Sequence, residues 1–480
     1  MVVGGGLAGI AAALACADAG ARVTLLEKRA RLGGLTWSFS HGGLTMDNGQ
    51  HVLLRCCTAY LDFLGRIGSA GDVELQDRLD VTVVAASDGG RALRPAESSD
   101  GVASDGAGSD GPRGAARTAV LRRDRVRPPL HLARSLLRYG HVPWAERARL
   151  GPAVLALSRL DLDDPALDEV TFATWLARHH QGPGAARGLW DLICLPTVNL
   201  PADEASLAMA AAVFQKGLLT DSAGGDIGWS RVPLGLLHGQ RAAAALDKAG
   251  VEVLLRTTVA GVEPLVDDER LGERPSLRIS GAGGEWQADA VIVALPHYAA
   301  EAVLPPAALG NKTPSLLGSS PIVNVHVWFD RRVTDLPLVA SIGSLAQWVF
   351  DRTRASGADR GQYLAVSISA ADEVVGWRPE QLERRVIADL RAIFPTARHA
   401  GVISSFVTKE HHATFRAAPG SAAHRSPPRT RVPGLVVAGA WTATGWPATM
   451  EGAVRSGVAA ARTALVAAGQ RRGLPAAITT

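Results

Sequence analysis

The feature that most constrains this chain stands at its beginning: Gly4-x-Gly6-x-x-Gly9, with Val2-Val3 in front, an alanine-rich run to Ala19 behind, and Gly20 as the stop. Ala21-Arg22-Val23-Thr24-Leu25-Leu26 then reads as a second buried strand ending at Glu27. Strand, glycine turn, helix and strand in this order predict a βαβ unit. Glycines at this spacing let the chain turn where a Cβ would block it and let the backbone approach a pyrophosphate. They also leave the first-turn N–H groups, at Leu7 and Ala8, free to donate to it. Glu27, 18 residues beyond Gly9 at a strand end, is placed to accept hydrogen bonds from a ribose. The pattern therefore predicts a dinucleotide site at Gly4, Gly6, Leu7, Ala8, Gly9 and Glu27. Only three residues precede the first glycine, where a buried strand usually runs about five or six, so the strand is expected to begin upstream of Met1.

With 47% hydrophobic and 20% charged residues, the 480-residue chain has enough to bury, which excludes a disordered or fibrous protein and leaves room for two or three lobes. Fifty basic against 46 acidic residues leave +4, spread along the chain, so no nucleic-acid partner is expected. Cys16, Cys56, Cys57 and Cys194 make no C-x-x-C pair and no zinc-ligand spacing, which argues against a disulfide framework or a metal site. No run of about 18 uncharged apolar residues occurs, and no signal-peptide pattern, so a cytoplasmic protein without a membrane span is expected.

Residues 87–117 shift to Gly, Ser, Asp, Ala and Pro and read as a disordered insertion. Helical patterns dominate 130–215. Strand patterns follow at 251–255, 290–295, 322–329, 347–350, 363–369 and 401–408, with a helix at 379–393. A short buried strand at 434–439 hands over to a helix at 448–468. The expected fold is α/β: a Rossmann-like domain from 1–86, 230–300 and 431–468, interleaved with an α+β substrate domain whose helical part is 118–229 and whose sheet part is 301–430. Residues 469–480 are expected to form a flexible tail.

Directly after the ribose carboxylate, Glu27-Lys28-Arg29-Ala30-Arg31-Leu32-Gly33-Gly34 adds a second glycine pair, and this extension resembles that of flavin-binding two-domain oxidoreductases. Met46-Asp47-Asn48-Gly49-Gln50-His51-Val52-Leu53-Leu54 and the segment 438–457, Ala-Gly-Ala-Trp-Thr through Ala-Val-Arg-Ser-Gly, closely resemble the hydroxysqualene dehydroxylases. These are squalene-associated FAD enzymes of bacterial hopanoid synthesis within the amine oxidase and phytoene desaturase superfamily. Residues 194–199 and 408–415 resemble that group as well, and the likeness spans nearly the whole chain outside the insertion. It implies an amine oxidase-like two-domain flavoprotein with FAD as cofactor. Lys28, Gly33, Gly34, Val259, Gly439, Ala440, Thr449 and Met450 would join the cofactor site, the strand and turn at 251–259 meeting the adenine and the strand at 288–296 leading towards the flavin. Two departures stand out: Leu35 where the family usually has an Arg that neutralises pyrophosphate, and Ala440 where it usually has an acidic residue facing the phosphate–ribityl region. A lost charge-assisted contact costs roughly 1.5–3 kcal/mol, so flavin should be held less tightly unless Arg29, Arg31 or backbone donors compensate.

The activity the resemblance implies is reduction of hydroxysqualene to squalene, with hydride from reduced flavin N5 and loss of water. Departure of hydroxide requires a proton, and Asp47 and His51 lie in the segment that by resemblance passes close to the flavin. His51 is the candidate donor with Asp47 orienting it; the competing reading is a plain turn at Asp47-Asn48-Gly49 beside a structural histidine. Trp441, Trp446 and Phe415 are either tunnel lining or packing. Arg122, Arg123, Arg125 and Arg127, followed by Leu130, Leu132, Leu136 and Leu137, make 122–139 a candidate contact with an anionic membrane face, the competing reading being an ordinary amphipathic helix. A polyisoprenoid substrate and an unidentified flavin reductant would be the partners. Three alternatives stay open: a carotenoid-type desaturase; a flavin amine oxidase, for which five lysines offer few candidates; and a non-catalytic prenyl-chain-binding protein of the same fold.

Overall fold

Five parallel strands make the first sheet, in the order Glu252–Leu255, Thr24–Glu27, Val2–Val3, Val291–Val293 and Leu435–Val437. Apart from Thr24, Glu27 and Glu252 their residues are Val, Ile and Leu, and the three central strands are buried almost throughout, as strands covered on both faces require. The computed structural model describes residues 1–85, 117–265, 276–306, 308–470 and 473–476, so the expected insertion lies outside the described residues but for Arg117, as does half of the expected tail. Helix Leu7–Asp18 is followed by Ala19 and by Gly20 at φ +87°, a left-handed stop. The helix Met450–Ala467 packs on it so closely that a Cβ at Gly457 would collide with the Ala8 carbonyl oxygen.

The second sheet has seven strands, ordered Val402–Phe415, Ser319–Phe329, Gln362–Ile368, Trp348–Asp351, Leu338–Ile342, Asp80–Ala85 and Arg117–Arg122. Strand Asp80–Ala85 corrects the expected boundary at 86. It pairs parallel to Leu338–Ile342 and antiparallel to Arg117–Arg122, and so belongs to the substrate sheet rather than to the Rossmann-like domain. Helix Pro379–Ile393 has the bounds expected, with Pro at its first position, and its Leu382, Val386 and Leu390 cover one sheet face. Val323, Val325 and Val327 point to that helix, and Asn324 and His326, one residue out of phase, point to the other face.

That other face receives the hairpin Ser38–His41 and Leu44–Asp47. A further small sheet, Val52–Leu54, Ile227–Ser230 and Val73–Leu75, joins the two domains across the expected boundary at 229/230. Among the described residues no helix is long and apolar enough to cross a membrane.

Candidate functional site

The glycine turn behaves as a cradle that side chains would fill. Gly4 has φ +108°, and a Cβ there would lie 2.5 Å from the Ala294 carbonyl oxygen; a Cβ at Gly9 would collide with the Gly4 carbonyl oxygen. Gly34 has φ +58°, and its Cβ would stand 2.9 Å from Gly6 Cα. Gly6 itself is different: the nearest atom to a Cβ there is Gly34 Cα at 3.8 Å, so its outer side is open. Gly6 also caps helix Leu7–Asp18 with no side chain bonded to the first-turn donors, an electropositive helix end facing that opening. The side chains of Leu7 and Ala8 are buried in the domain core and contribute packing, leaving their backbone to the site. These features fit a dinucleotide pyrophosphate.

Glu27 ends its strand buried, with Oε2 accepting from Gly5 N at 2.6 Å and Oε1 from Arg29 N at 2.7 Å, so its carboxylate ties the first glycine turn to the start of the following loop. Gly33 N donates to Gly5 O at 2.9 Å, locking the second glycine pair onto the first. Lys28 is exposed. Arg29 and Arg31 both aim Nη1 at the Gly34 carbonyl, at 3.3 and 3.1 Å, and Arg31 lies 4.3 Å over the Trp37 ring. Burial, then the neighbouring Arg29, lowers the Arg31 pKa to about 10, so it stays cationic at neutral pH. Two guanidinium groups thus stand beside Leu35, where the resemblance expected one. Val259 is buried in an adjoining three-stranded sheet, just after Thr257 N donates to Glu27 O.

At the other end of the sheet, Gly439 has φ +144°, where a Cβ would stand 2.6 Å from Trp441 Nε1, the indole that donates to Leu295 O. Ala440 is half-buried. Thr449 caps helix Met450–Ala467 by accepting from Gly452 N at 3.1 Å. Trp441 and Phe415 are buried in the core, and Trp446 lies between Lys216 and Arg455 at 5.2 and 5.1 Å, so this aromatic set packs rather than lines an open tunnel.

The expected Asp47–His51 partnership is corrected. Asp47 is buried, and its Oδ1 accepts from Ser38 Oγ at 2.6 Å and Leu234 N at 2.8 Å while Oδ2 accepts from Arg352 Nη2 at 3.0 Å. Arg352 also donates to the Ser230 and Val232 carbonyls. The carboxylate is therefore committed to a buried ion pair between domains, and its influence on His51 is through charge alone. Burial lowers the His51 pKa, with Asp47 pulling the other way, so the imidazole is neutral near pH 7.

Several residues of this face escaped the sequence reading. His326 meets the Tyr363 hydroxyl at 2.6 Å through Nδ1 and Thr408 Oγ1 at 3.1 Å through Nε2, and stacks on Phe406 at 4.3 Å. Thr408 and Asn324 donate to the Asn48 carbonyl at 2.8 and 3.3 Å, docking the 48–51 turn on the sheet. Asn324 Oδ1 and Gln50 Nε2 are buried without a partner. Polar residues in alternation with valines, Val323-Asn324-Val325-His326-Val327, were the available signal.

The family model for flavin containing amine oxidoreductases matches residues 7–465. The chain belongs to that family. It is an FAD-dependent oxidoreductase. It is similar to the hydroxysqualene dehydroxylase of Zymomonas mobilis, 27% identical, covering 97% of this chain and 98% of that one. It is also similar to the zeta-carotene desaturase of Synechocystis, 25% identical, covering 97% and 96%. Among solved structures, the cyclohexylamine oxidase of Brevibacterium oxydans matches with TM-score 0.68 at 20% identity, covering 98% of each chain.

Proposed function

We propose that this flavoenzyme reduces hydroxysqualene to squalene. The observation that carries the reading is the end-to-end likeness to a hydroxysqualene dehydroxylase. In the reaction the allylic C–O bond breaks, the hydroxyl leaves as water with one added proton, and a C–H bond forms. Reduced FAD supplies the hydride when bound. The chain's own part is to hold the cofactor by the glycine turns and Glu27, to exclude water, and to hold a proton. His51 is the proposed proton-transfer group: its imidazole, neutral near pH 7, would take up a proton from solvent and pass it to the leaving hydroxyl, returning to the neutral form.

A desaturase of carotenoid type is the second reading, favoured by the likeness to a zeta-carotene desaturase. An amine oxidase is disfavoured: the Lys216 and Lys409 ammonium groups are donated to the carbonyls of Gly445 and Trp377. Anaerobic incubation of flavin-reduced protein with hydroxysqualene, and of oxidised protein with phytoene, squalene and amines, separates the three. Squalene appearing with flavin reoxidation supports the proposal; turnover only of the other substrates defeats it.

The reading includes peripheral contact with the inner membrane face through 122–139, extended to Trp144. Val126 is 48%, Leu130 67%, Leu137 73% and Trp144 80% exposed, among exposed Arg125, Arg127, Arg134 and Arg138. Leu132 and Leu136 pack on the core instead, so the face is narrower than the sequence pattern implied. Replacing Leu130, Leu137 and Trp144 by Ser should weaken binding to anionic liposomes in sedimentation about a hundredfold or more, at roughly 1 kcal/mol or more per side chain, and leave the flavin spectrum unchanged. Undiminished sedimentation removes this surface from the account.

A further inference from the structure

Arg425 is 5% exposed, yet among the described residues no carboxylate is hydrogen-bonded to it. Its Nε donates to the carbonyls of Trp441 and Thr442 at 3.2 and 3.1 Å. Its Nη2 reaches the carbonyls of Thr442 at 2.6 Å, Trp446 at 2.7 Å and Ala440 at 3.5 Å, and Thr444 Oγ1 at 3.3 Å. Nη1 faces Met209 Sδ at 3.2 Å, and the guanidinium carbon lies 4.9 Å from the Phe415 ring centre. Asp168 acts on it through charge only, its own oxygens being taken by Ser206 Oγ and Ala422 N. Burial brings the Arg425 pKa down to about 10, which leaves it cationic at neutral pH.

Residues 440–446 carry no helix or strand, so their buried carbonyls must find donors outside regular structure. One planar fork satisfies four of these residues at once, which neither a neutral side chain nor the point charge of Lys can do. The segment also begins at the carboxyl end of strand Leu435–Val437 and ends before the Thr449 cap, on the side of a parallel sheet where dinucleotides bind.

We propose that Arg425 is a positioning residue of the FAD site: it fixes residues 440–446 in advance, so that a chain with Ala440 holds the cofactor through a preformed loop backed by a buried cation. This rests on FAD binding alone and is independent of the substrate. The test is FAD titration of apoprotein by fluorescence quenching, alongside near-ultraviolet circular dichroism of the tryptophan region and denaturant unfolding. Arg425→Met should raise the FAD dissociation constant about thirtyfold or more and flatten the tryptophan signal, with secondary structure retained. Arg425→Lys should recover part of both. Wild-type FAD affinity in Arg425→Met, with only a lowered unfolding midpoint, would make the residue merely structural and overturn the proposal. Should Arg425→Met not fold, Arg425→Lys decides: weaker FAD binding supports the role, and unchanged binding overturns it.

Discussion

The glycine cradle and the face that meets the 48–51 turn are built on opposite principles. The cradle is made by leaving atoms out: Gly4, Gly6, Gly9 and Gly34 bring backbone to backbone, and the side chains that join them, Glu27, Arg29 and Arg31, bond to its backbone. The second face is made by side chains that span 276 residues from Asn48 to Asn324, 305 from Asp47 to Arg352 and 360 from Asn48 to Thr408. One half of the molecule is therefore injured by adding a methyl group, and the other by taking a polar atom away.

The sharpest way to break this contrast is inside the cradle itself. Gly6→Val meets open space in the protein and should leave the fold intact while abolishing FAD retention, a loss of at least about a thousandfold in affinity or some 4 kcal/mol; a folded, fully flavinated variant would refute the site. Gly9→Ala should instead fail to fold, and a soluble folded product would show that the turn yields. On the second face the damage runs the other way. Asp47→Asn strands the Arg352 charge and should lower unfolding stability by about 3 kcal/mol or more in denaturant titrations, whereas Asp47→Leu combined with Arg352→Met should regain much of it.

His238 and His326 let the two regions be compared by pH. His238 sits behind Gly33 with Nε2 2.6 Å from the Tyr60 hydroxyl, and burial takes both imidazoles to a pKa of about 3. Above pH 6.5 neither folded nor unfolded chain binds the proton. Below it the unfolded chain does and the folded chain does not, so stability should fall by about 1.4 kcal/mol per pH unit for each histidine until about pH 3. His326→Gln should remove one histidine's share, about 1.4 kcal/mol per pH unit, from the slope of unfolding curves collected below pH 6.5; an unaltered slope would mean that His326 is already protonated in the fold. The smallest effect is expected at Leu35→Arg. Because Arg29 and Arg31 already converge on the Gly34 carbonyl, FAD affinity should rise less than about tenfold, and a larger gain would show that those two guanidinium groups do not serve the phosphates.

The cradle was legible because its demands are local: a φ near +108° at Gly4 and a blocked Cβ at Gly9 leave glycine no substitute within ten residues of the start. Helix Pro379–Ile393 was legible for the same reason, its apolar period and Pro start both lying within the segment. Strand Asp80–Ala85 was misassigned because its partner, Leu338–Ile342, is more than 250 residues away and was itself overlooked. The role given to Asp47 failed likewise. A carboxylate four residues from a histidine reads as its partner until Arg352 arrives from the far end of the chain.

The close contact of Gly457 with Ala8 also has a consequence for how the protein is made. Helix Leu7–Asp18 is sealed by helix Met450–Ala467, and the fifth strand of the parallel sheet is Leu435–Val437. A ribosome adds about 5–20 residues per second, so the glycine turn emerges some tens of seconds before the elements that close it. Until they have emerged the nascent chain has the glycine turn but no finished pocket, and FAD loading therefore belongs after their synthesis. Trimming the end of the chain back to Gly457 should yield a protein that never takes up its cofactor, though the motif that announces it is intact.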